Sequence, residues 1–194
     1  MLPASSYNYY TYVEYLDRLA KSAERLEYHD GEVIVMAGGS LAHADIIGNL
    51  YSQIRTRLKE QASPCKPMTG EARLYIESYN SAVLPDVAVV CGEREVADHD
   101  EQAYTNPVLV IEVVSPSTAG YDRGEKFKKY RSLPTFQEYV LVEQTHAEVN
   151  VLHRKSDREW SMIIYRNLDD IVLLNSIELA IPMRAIYEDV VYSR

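Results

Sequence analysis

The sequence predicts an α+β (mixed α/β) domain in which a sheet is flanked by helices, and three observations carry that expectation. VLPDVAVV (83–90) and PVLVIEVVS (107–115) are continuous runs rich in Val and Ile, the pattern of strands buried on both faces. A long segment after Ser40 repeats its apolar residues every 3.6 positions. Four short apolar segments then follow one another between residues 136 and 175. The 194 residues, 46% of them hydrophobic, fit one domain spanning 1–194 with no linker to divide it.

Taken in order, Tyr12, Tyr15, Leu16 and Leu19 share a helical face, which predicts a short helix over 10–21. RLEYHDGEVIVMAG reads as two strands turning at Asp30-Gly31, a dipeptide that tolerates positive φ. Ser40 caps the long helix, which places Leu41, Ile46, Ile47, Leu50, Ile54 and Leu58 on its inner side and runs to about Gln61. GEARLYIES alternates as a strand, and the two Val/Ile runs belong at the centre of the sheet. DRGEKFKKYRS (122–132) is a basic helix that Leu133-Pro134 must end. FQEYVLVEQ, AEVNVLHR, EWSMIIYR and DIVLLN are the closing strands, and a helical turn follows Pro182.

Composition narrows function. No run approaches the roughly 18 apolar residues of a membrane span, and the start lacks a basic segment followed by an apolar core, so the expected location is the cytoplasm. Cys65 and Cys91 stand apart without CxxC spacing and are expected as buried, reduced thiols. GxSxG, GxxxxGK[ST], HxxxH and HExxH are all absent, which removes the α/β-hydrolase, P-loop and common zinc-enzyme readings. Sixteen tyrosines against two phenylalanines, with Tyr7, Tyr9, Tyr10, Tyr12 and Tyr15 crowded at the start, suit packing around the first helix ahead of an interface or base stacking.

The formal charge of −9 argues against nucleic acid only as an average. Residues 115–135 hold Arg123, Lys126, Lys128, Lys129 and Arg131 against Asp122 and Glu125, a balance of +3, and residues 40–75 carry +2. A phosphate substrate would meet this basic edge, weakly and with salt sensitivity.

Each central run carries one carboxylate, Asp86 in the first and Glu112 in the second. An ionised carboxylate inside an apolar strand is costly unless it is paired, hydrogen-bonded or metal-bound. If the strands are neighbours, the two acids and the Val113 carbonyl suit a hard divalent cation, Mg²⁺ or Mn²⁺, which takes one or two carboxylates, a carbonyl and water. The alternative is that Asp86 ends a turn after Pro85 and Glu112 pairs with a basic side chain.

Pro85-Asp86 followed by Glu112-Val113-Val114 resembles the core of the PD-(D/E)XK nucleases. EYHDGEVIVMAGGSLAHADIIGNL, LPDVAVV, NPVLVIEVVSPSTAGYDRGEKFKKYRSLP and EYVLVEQ are together similar to the Uma-type family of restriction-endonuclease-like proteins within that superfamily. The resemblance implies a restriction-endonuclease-like central mixed sheet and metal-dependent cleavage of nucleic acid, DNA first. It also implies a homodimer, since cutting two antiparallel strands suits two sites related by a two-fold axis. It carries the metal-binding acids onto Asp86 and Glu112 and a further catalytic acid onto Glu27. Where the motif has its lysine, this chain has Val114. Lys126 is the expected substitute, four residues from both Asp122 and Tyr130 on one helical face. Asp122, Tyr130, Ser115, Ser117 and His43 are the expected substrate contacts, although Ser115 and Ser117 also suit capping. Val114 equally admits a nuclease fold without turnover, acting as a nucleic-acid-binding or protein-interaction module. A carboxylate-pair glycosidase would need a sugar groove that nothing in the sequence suggests.

Overall fold

The computed structural model describes residues 9–192. Helix α1 (Tyr12–Lys21) opens on a capping box: Glu14 N–H donates to Thr11 Oγ1, and Thr11 N–H donates to Glu14 Oε2 at 2.7 Å. β1 (Leu26–His29) and β2 (Glu32–Val35) form the expected hairpin, with positive φ at Asp30 and Gly31. Ser40 then caps α2 (Leu41–Glu60) by accepting from His43 N–H at 3.1 Å. The middle of the chain supplies β3 (Cys65–Thr69), β4 (Arg73–Ile76), β5 (Ser81–Val83), β6 (Val87–Cys91), β7 (Val96–Ala97), β8 (Asp100–Tyr104) and β9 (Leu109–Val114). A helical stretch over residues 119–130, here α3, contains a π-helical turn at Asp122–Lys126. β10 (Glu138–Glu143), β11 (Val149–Ser156), β12 (Glu159–Tyr165), β13 (Ile171–Leu174), β14 (Leu179–Pro182) and the short helix Met183–Ile186 complete the order.

The strands form two six-stranded sheets and a separate β13-β14 hairpin. The first sheet runs β12-β11-β10-β9-β6-β3, with β9 parallel to β10 and antiparallel to β6, so the two Val/Ile runs are neighbours at its centre. Alternation along β9 decides what each face does. Leu109, Ile111 and Val113 turn toward Ile46, Leu50, Ile54 and Leu58 of α2, while Val110 and Val114 turn toward Tyr130, Phe136 and Tyr139 on the α3 side. Glu112 shares the parity of Val110 and Val114 and therefore enters the α3 side.

The second sheet, β2-β1-β5-β4-β8-β7, was not legible in the sequence, which predicts a single sheet. Its outer part, β7 and β8, comes from the polar stretch that begins at Gly92. There Asp100 is buried because Arg73 donates to both of its oxygens at 2.9–3.1 Å and Tyr12 Oη donates at 2.9 Å. Tyr12, Tyr15, Tyr28 and Tyr75 pack edge-on and tilted beneath α1, the packing role expected of the tyrosine cluster; Tyr7 lies outside the described residues.

The expectation of two reduced thiols is also corrected. The β3–β6 register sets Cys65 directly opposite Cys91, and the two are joined in a disulfide. No helix among the described residues is long and apolar enough to cross a membrane.

Candidate active site

The antiparallel register pairs Val87 with Ile111, and one residue further along it brings Asp86 beside Glu112. Asp86 Oδ2 accepts the Val113 N–H at 2.8 Å, so one peptide plane ties the two acidic strands together. The same oxygen faces α2, where His43 Nε2 lies 3.3 Å from it. His43 can sit there because residue 39 is glycine: a Cβ built on Gly39 would lie 2.5 Å from His43 Nδ1. Ser40 Oγ also donates to Gln144 Oε1 at 3.0 Å, which pins the start of α2 to the end of β10.

Glu112 is 2% exposed and shares one oxygen between two partners. Tyr130 Oη donates to Oε1 at 2.7 Å, and Lys126 Nζ lies 3.0 Å from the same atom. Lys126, 4% exposed, also lies 3.4 Å from Asp122 Oδ1, and its Nζ stands 5.8 Å above the Tyr121 ring centroid. The sequence places Asp122, Lys126 and Tyr130 on one face of an ordinary helix. The structure keeps that face but underwinds the stretch as a π-turn, a form frequent at functional positions.

Glu27 comes from β1 in the second sheet and is buried. Its Oε1 accepts Leu84 N–H at 2.8 Å, fixing the chain just before Pro85-Asp86, and its Oε2 lies 3.0 Å from His29 Nε2. Lys129 Nζ in turn lies 2.6 Å from His29 Nδ1. With both oxygens engaged, Glu27 holds the site's frame.

Burial, with the charges of Asp86 and Asp122 adding to it, pushes the Glu112 carboxyl up to about 8 against the pull of Lys126 and Tyr130. Burial alone would lower the proton affinity of Lys126, but Glu112, Glu27, Asp122 and Asp86 more than offset it and hold the ammonium above the ordinary lysine range. One ammonium thus serves several carboxylates. Burial would raise Glu27, yet the His29 bond, the Lys126 charge and the Leu84 N–H hold it below the usual carboxylate range.

The structure therefore brings Asp86, Glu112, Val113, Lys126, Glu27 and His43 together. Tyr130 and Asp122, expected as substrate contacts, are both buried and face Glu112 and Lys126. Ser115 and Ser117 close the turn into α3. Ser115 Oγ accepts Thr118 N–H at 3.2 Å and lies 2.9 Å from Ser117 Oγ. The basic edge is also revised. Lys126 is buried and Lys129 meets His29, while Arg123, paired with Glu143, Arg131, set over Phe127, and Lys128 stay exposed. His29 and Gln144 escaped the sequence reading. For His29 a signal existed, since residues two apart on a strand share a face.

Asp86 and Glu112 offer hard oxygen donors, and Oε2 of Glu112 has no hydrogen-bond partner among the described residues. Among those residues no three His, Cys, Asp or Glu side chains form a ready-made cage. The donor set fits a divalent cation that keeps much of its water, the usual state of Mg²⁺. A cavity of about 410 Å³ between Tyr75, His99, Asn106 and Leu133 lies elsewhere, and none of these site residues lines it.

A mixed sheet carrying paired acids on adjacent central strands, with a lysine delivered from the next helix, defines a nuclease-like fold. The chain belongs to the Uma2 family, described as "Putative restriction endonuclease", whose pattern matches residues 12–184. It is 34% identical over 179 residues to the uncharacterized protein slr1290 of Synechocystis sp., covering 92% of each chain. It is 35% identical over 150 residues to sll1609 of the same organism, covering 77% of this chain and 84% of that one. A crystal structure described as a "putative nuclease belonging to DUF820" from Anabaena variabilis superposes with a TM-score of 0.69 at 18% identity, covering 91% of this chain and 98% of that chain.

Proposed function

We propose that the protein is a divalent-metal-dependent endonuclease that hydrolyses phosphodiester bonds of DNA. The observation that carries this reading is the placement of Lys126 on Glu112, because it returns an ammonium to the acid pair although the motif position is Val114. Asp86 and Glu112 would hold Mg²⁺ or Mn²⁺ with the Val113 carbonyl, and the cation would supply charge stabilisation at the phosphate and an acidified water. Lys126, kept protonated by its carboxylates, donates to the attacking water or to a phosphate oxygen. Glu27 holds the Leu84–Asp86 segment, and Tyr130 fixes the rotamer of Glu112. We assign the protein to the cytoplasm and to a homodimer, since two sites about a two-fold axis match antiparallel DNA strands.

The test is cleavage of supercoiled plasmid and end-labelled duplex DNA in Mg²⁺ or Mn²⁺. Cleavage that is lost in EDTA, in Asp86→Ala and in Lys126→Ala supports the proposal. DNA binding without cleavage under every metal condition supports instead a nuclease-fold binding module, a reading favoured by the deep burial of Glu112 and Lys126.

A further inference from the structure

The strongest relationship that this reading leaves unused is the approach of His43 to Asp86. His43 sits in the first turn of α2, and its Nε2 points at the oxygen of Asp86 that already accepts from Val113 N–H. An imidazole nitrogen and a carboxylate oxygen bound to one cation, each about 2.1 Å from it and 90–110° apart, stand about 3.0–3.4 Å from each other. The observed separation is 3.3 Å.

Three features hold the imidazole at that spacing. Ser40 caps the helix on the His43 N–H, the same hydroxyl reaches Gln144 on the sheet, and Gly39 leaves out the Cβ that would strike the ring. The ring is also the more accessible partner, at 17% side-chain exposure against 12% for Asp86, so this side of the acid pair is where a solvated ion can enter. Glu112 and Lys126 close the other side.

We propose that His43 is a ligand of the same cation as Asp86, which makes the centre a mixed nitrogen–oxygen site selective for a first-row transition ion such as Mn²⁺ over Mg²⁺. The proposal rests on the metal-dependent reading above and adds a donor to it. The selectivity follows from donor chemistry. Imidazole suits transition ions, whereas Mg²⁺ prefers oxygen and gives up its water reluctantly. The site is therefore expected to bind Mn²⁺ at least tenfold more tightly than Mg²⁺, and His43→Gln is expected to erase most of that preference.

The experiment uses the full chain with Mn²⁺ alone and needs no turnover. Calorimetry measures the affinities for Mn²⁺ and Mg²⁺, and pulsed electron paramagnetic resonance of the Mn²⁺ form looks for modulation from a directly bound ¹⁴N. The expected result is a nitrogen signal in the wild type that disappears in His43→Gln, while weaker Mn²⁺ binding, still dependent on Asp86, persists. Mn²⁺ bound through Asp86 with no nitrogen signal overturns the His43 assignment and leaves the nuclease reading standing. Absence of Mn²⁺ binding up to millimolar concentration overturns both. Circular dichroism of His43→Gln checks that the variant keeps the fold.

Discussion

Lys126 Nζ lies 3.0 Å from Glu112 Oε1, although the two residues come from a π-turn and from the central strand of a sheet. The contact joins an ammonium held above its ordinary range to a carboxyl raised to about 8. Lys126→Met removes the main counter-charge from a buried acid. At pH 9, where Glu112 is ionised, the loss is expected to be about 3–5 kcal/mol, as when one partner of a buried pair is deleted. At pH 6 Glu112 carries its proton, and the loss is expected to be smaller. Urea unfolding of both proteins at the two pH values checks this; equal losses would show that the lysine does not compensate Glu112.

The same carboxyl predicts how stability varies with pH. Unfolded, Glu112 titrates near 4.5; folded, it titrates at about 8. Between those values the native chain binds a proton that the unfolded chain has released, so this contribution to stability is full below 4.5 and is lost as pH rises through 8. Lys126 shifts upward, and its contribution is already complete below 10.5, so it does not cancel the slope. Metal-free wild type is expected to lose stability from pH 5 to pH 8.5, and Glu112→Gln to flatten the curve over that window. Parallel curves in urea titrations would refute the assignment.

Tyr130→Phe deletes the hydroxyl that donates to Glu112 and leaves the ring packed against Phe136 and Tyr139. Losing a hydrogen bond to an ionised group costs about 1.5–3 kcal/mol. Because the bond favours the charged form, the Glu112 carboxyl should also rise further. Urea unfolding at pH 9 should show the loss, and carboxyl signals followed by nuclear magnetic resonance should show the later titration.

How much of this was legible depends on range. The caps at Ser40 and the turn at Asp30-Gly31 are local, so the sequence places α2 and the β1–β2 hairpin nearly residue for residue. Asp86 and Glu112 stand out because each breaks an apolar run, a one-dimensional signal. The second sheet does not stand out. Its strands β7 and β8 look polar because Asp100 is neutralised by Arg73, 27 residues away, and hydrogen-bonded by Tyr12, 88 away. The Cys65–Cys91 pairing and the His29–Lys129 contact are likewise products of register. Charge counts along the chain also missed that Lys126 is buried and that Lys129 turns onto His29.

The Arg73–Asp100 pair offers a test of that long-range anchor. Arg73 reaches both Asp100 oxygens with side-chain exposures of 11% and 5%. Arg73→Met leaves a buried charge with only the Tyr12 hydroxyl and the Gln102 N–H as donors, and a loss of about 3–5 kcal/mol is expected. Adding Asp100→Asn should recover part of the loss by removing the charge. Limited proteolysis of Arg73→Met should expose sites around α1 and β8 first; uniform cleavage across the chain would mean that the pair does not anchor that region.

Finally, the engagement of the α3 cations sets the salt dependence of nucleic-acid binding. Each phosphate neutralised by a free cation contributes about −0.9 to the slope of log affinity against log salt on duplex DNA. Of the five basic residues at 115–135, Arg123 is paired with Glu143, Lys126 is buried among carboxylates, Lys129 is set against His29, and Arg131 covers Phe127. Lys128 is solvated and loosely paired with Glu125 at 3.8 Å. With Lys126 buried and Lys129 held on His29, Arg123, Lys128 and Arg131 are the three that remain exposed, and such a surface cannot release five counterions. The expected slope is shallow, about −1 to −3, and Lys128→Ala should reduce its magnitude by about 1. Fluorescence anisotropy on a labelled duplex across 50–300 mM salt measures it. A slope near −5 that Lys128→Ala leaves unchanged would show that DNA strips the internal pairs of α3 apart, and the cations held there would then belong to the binding surface.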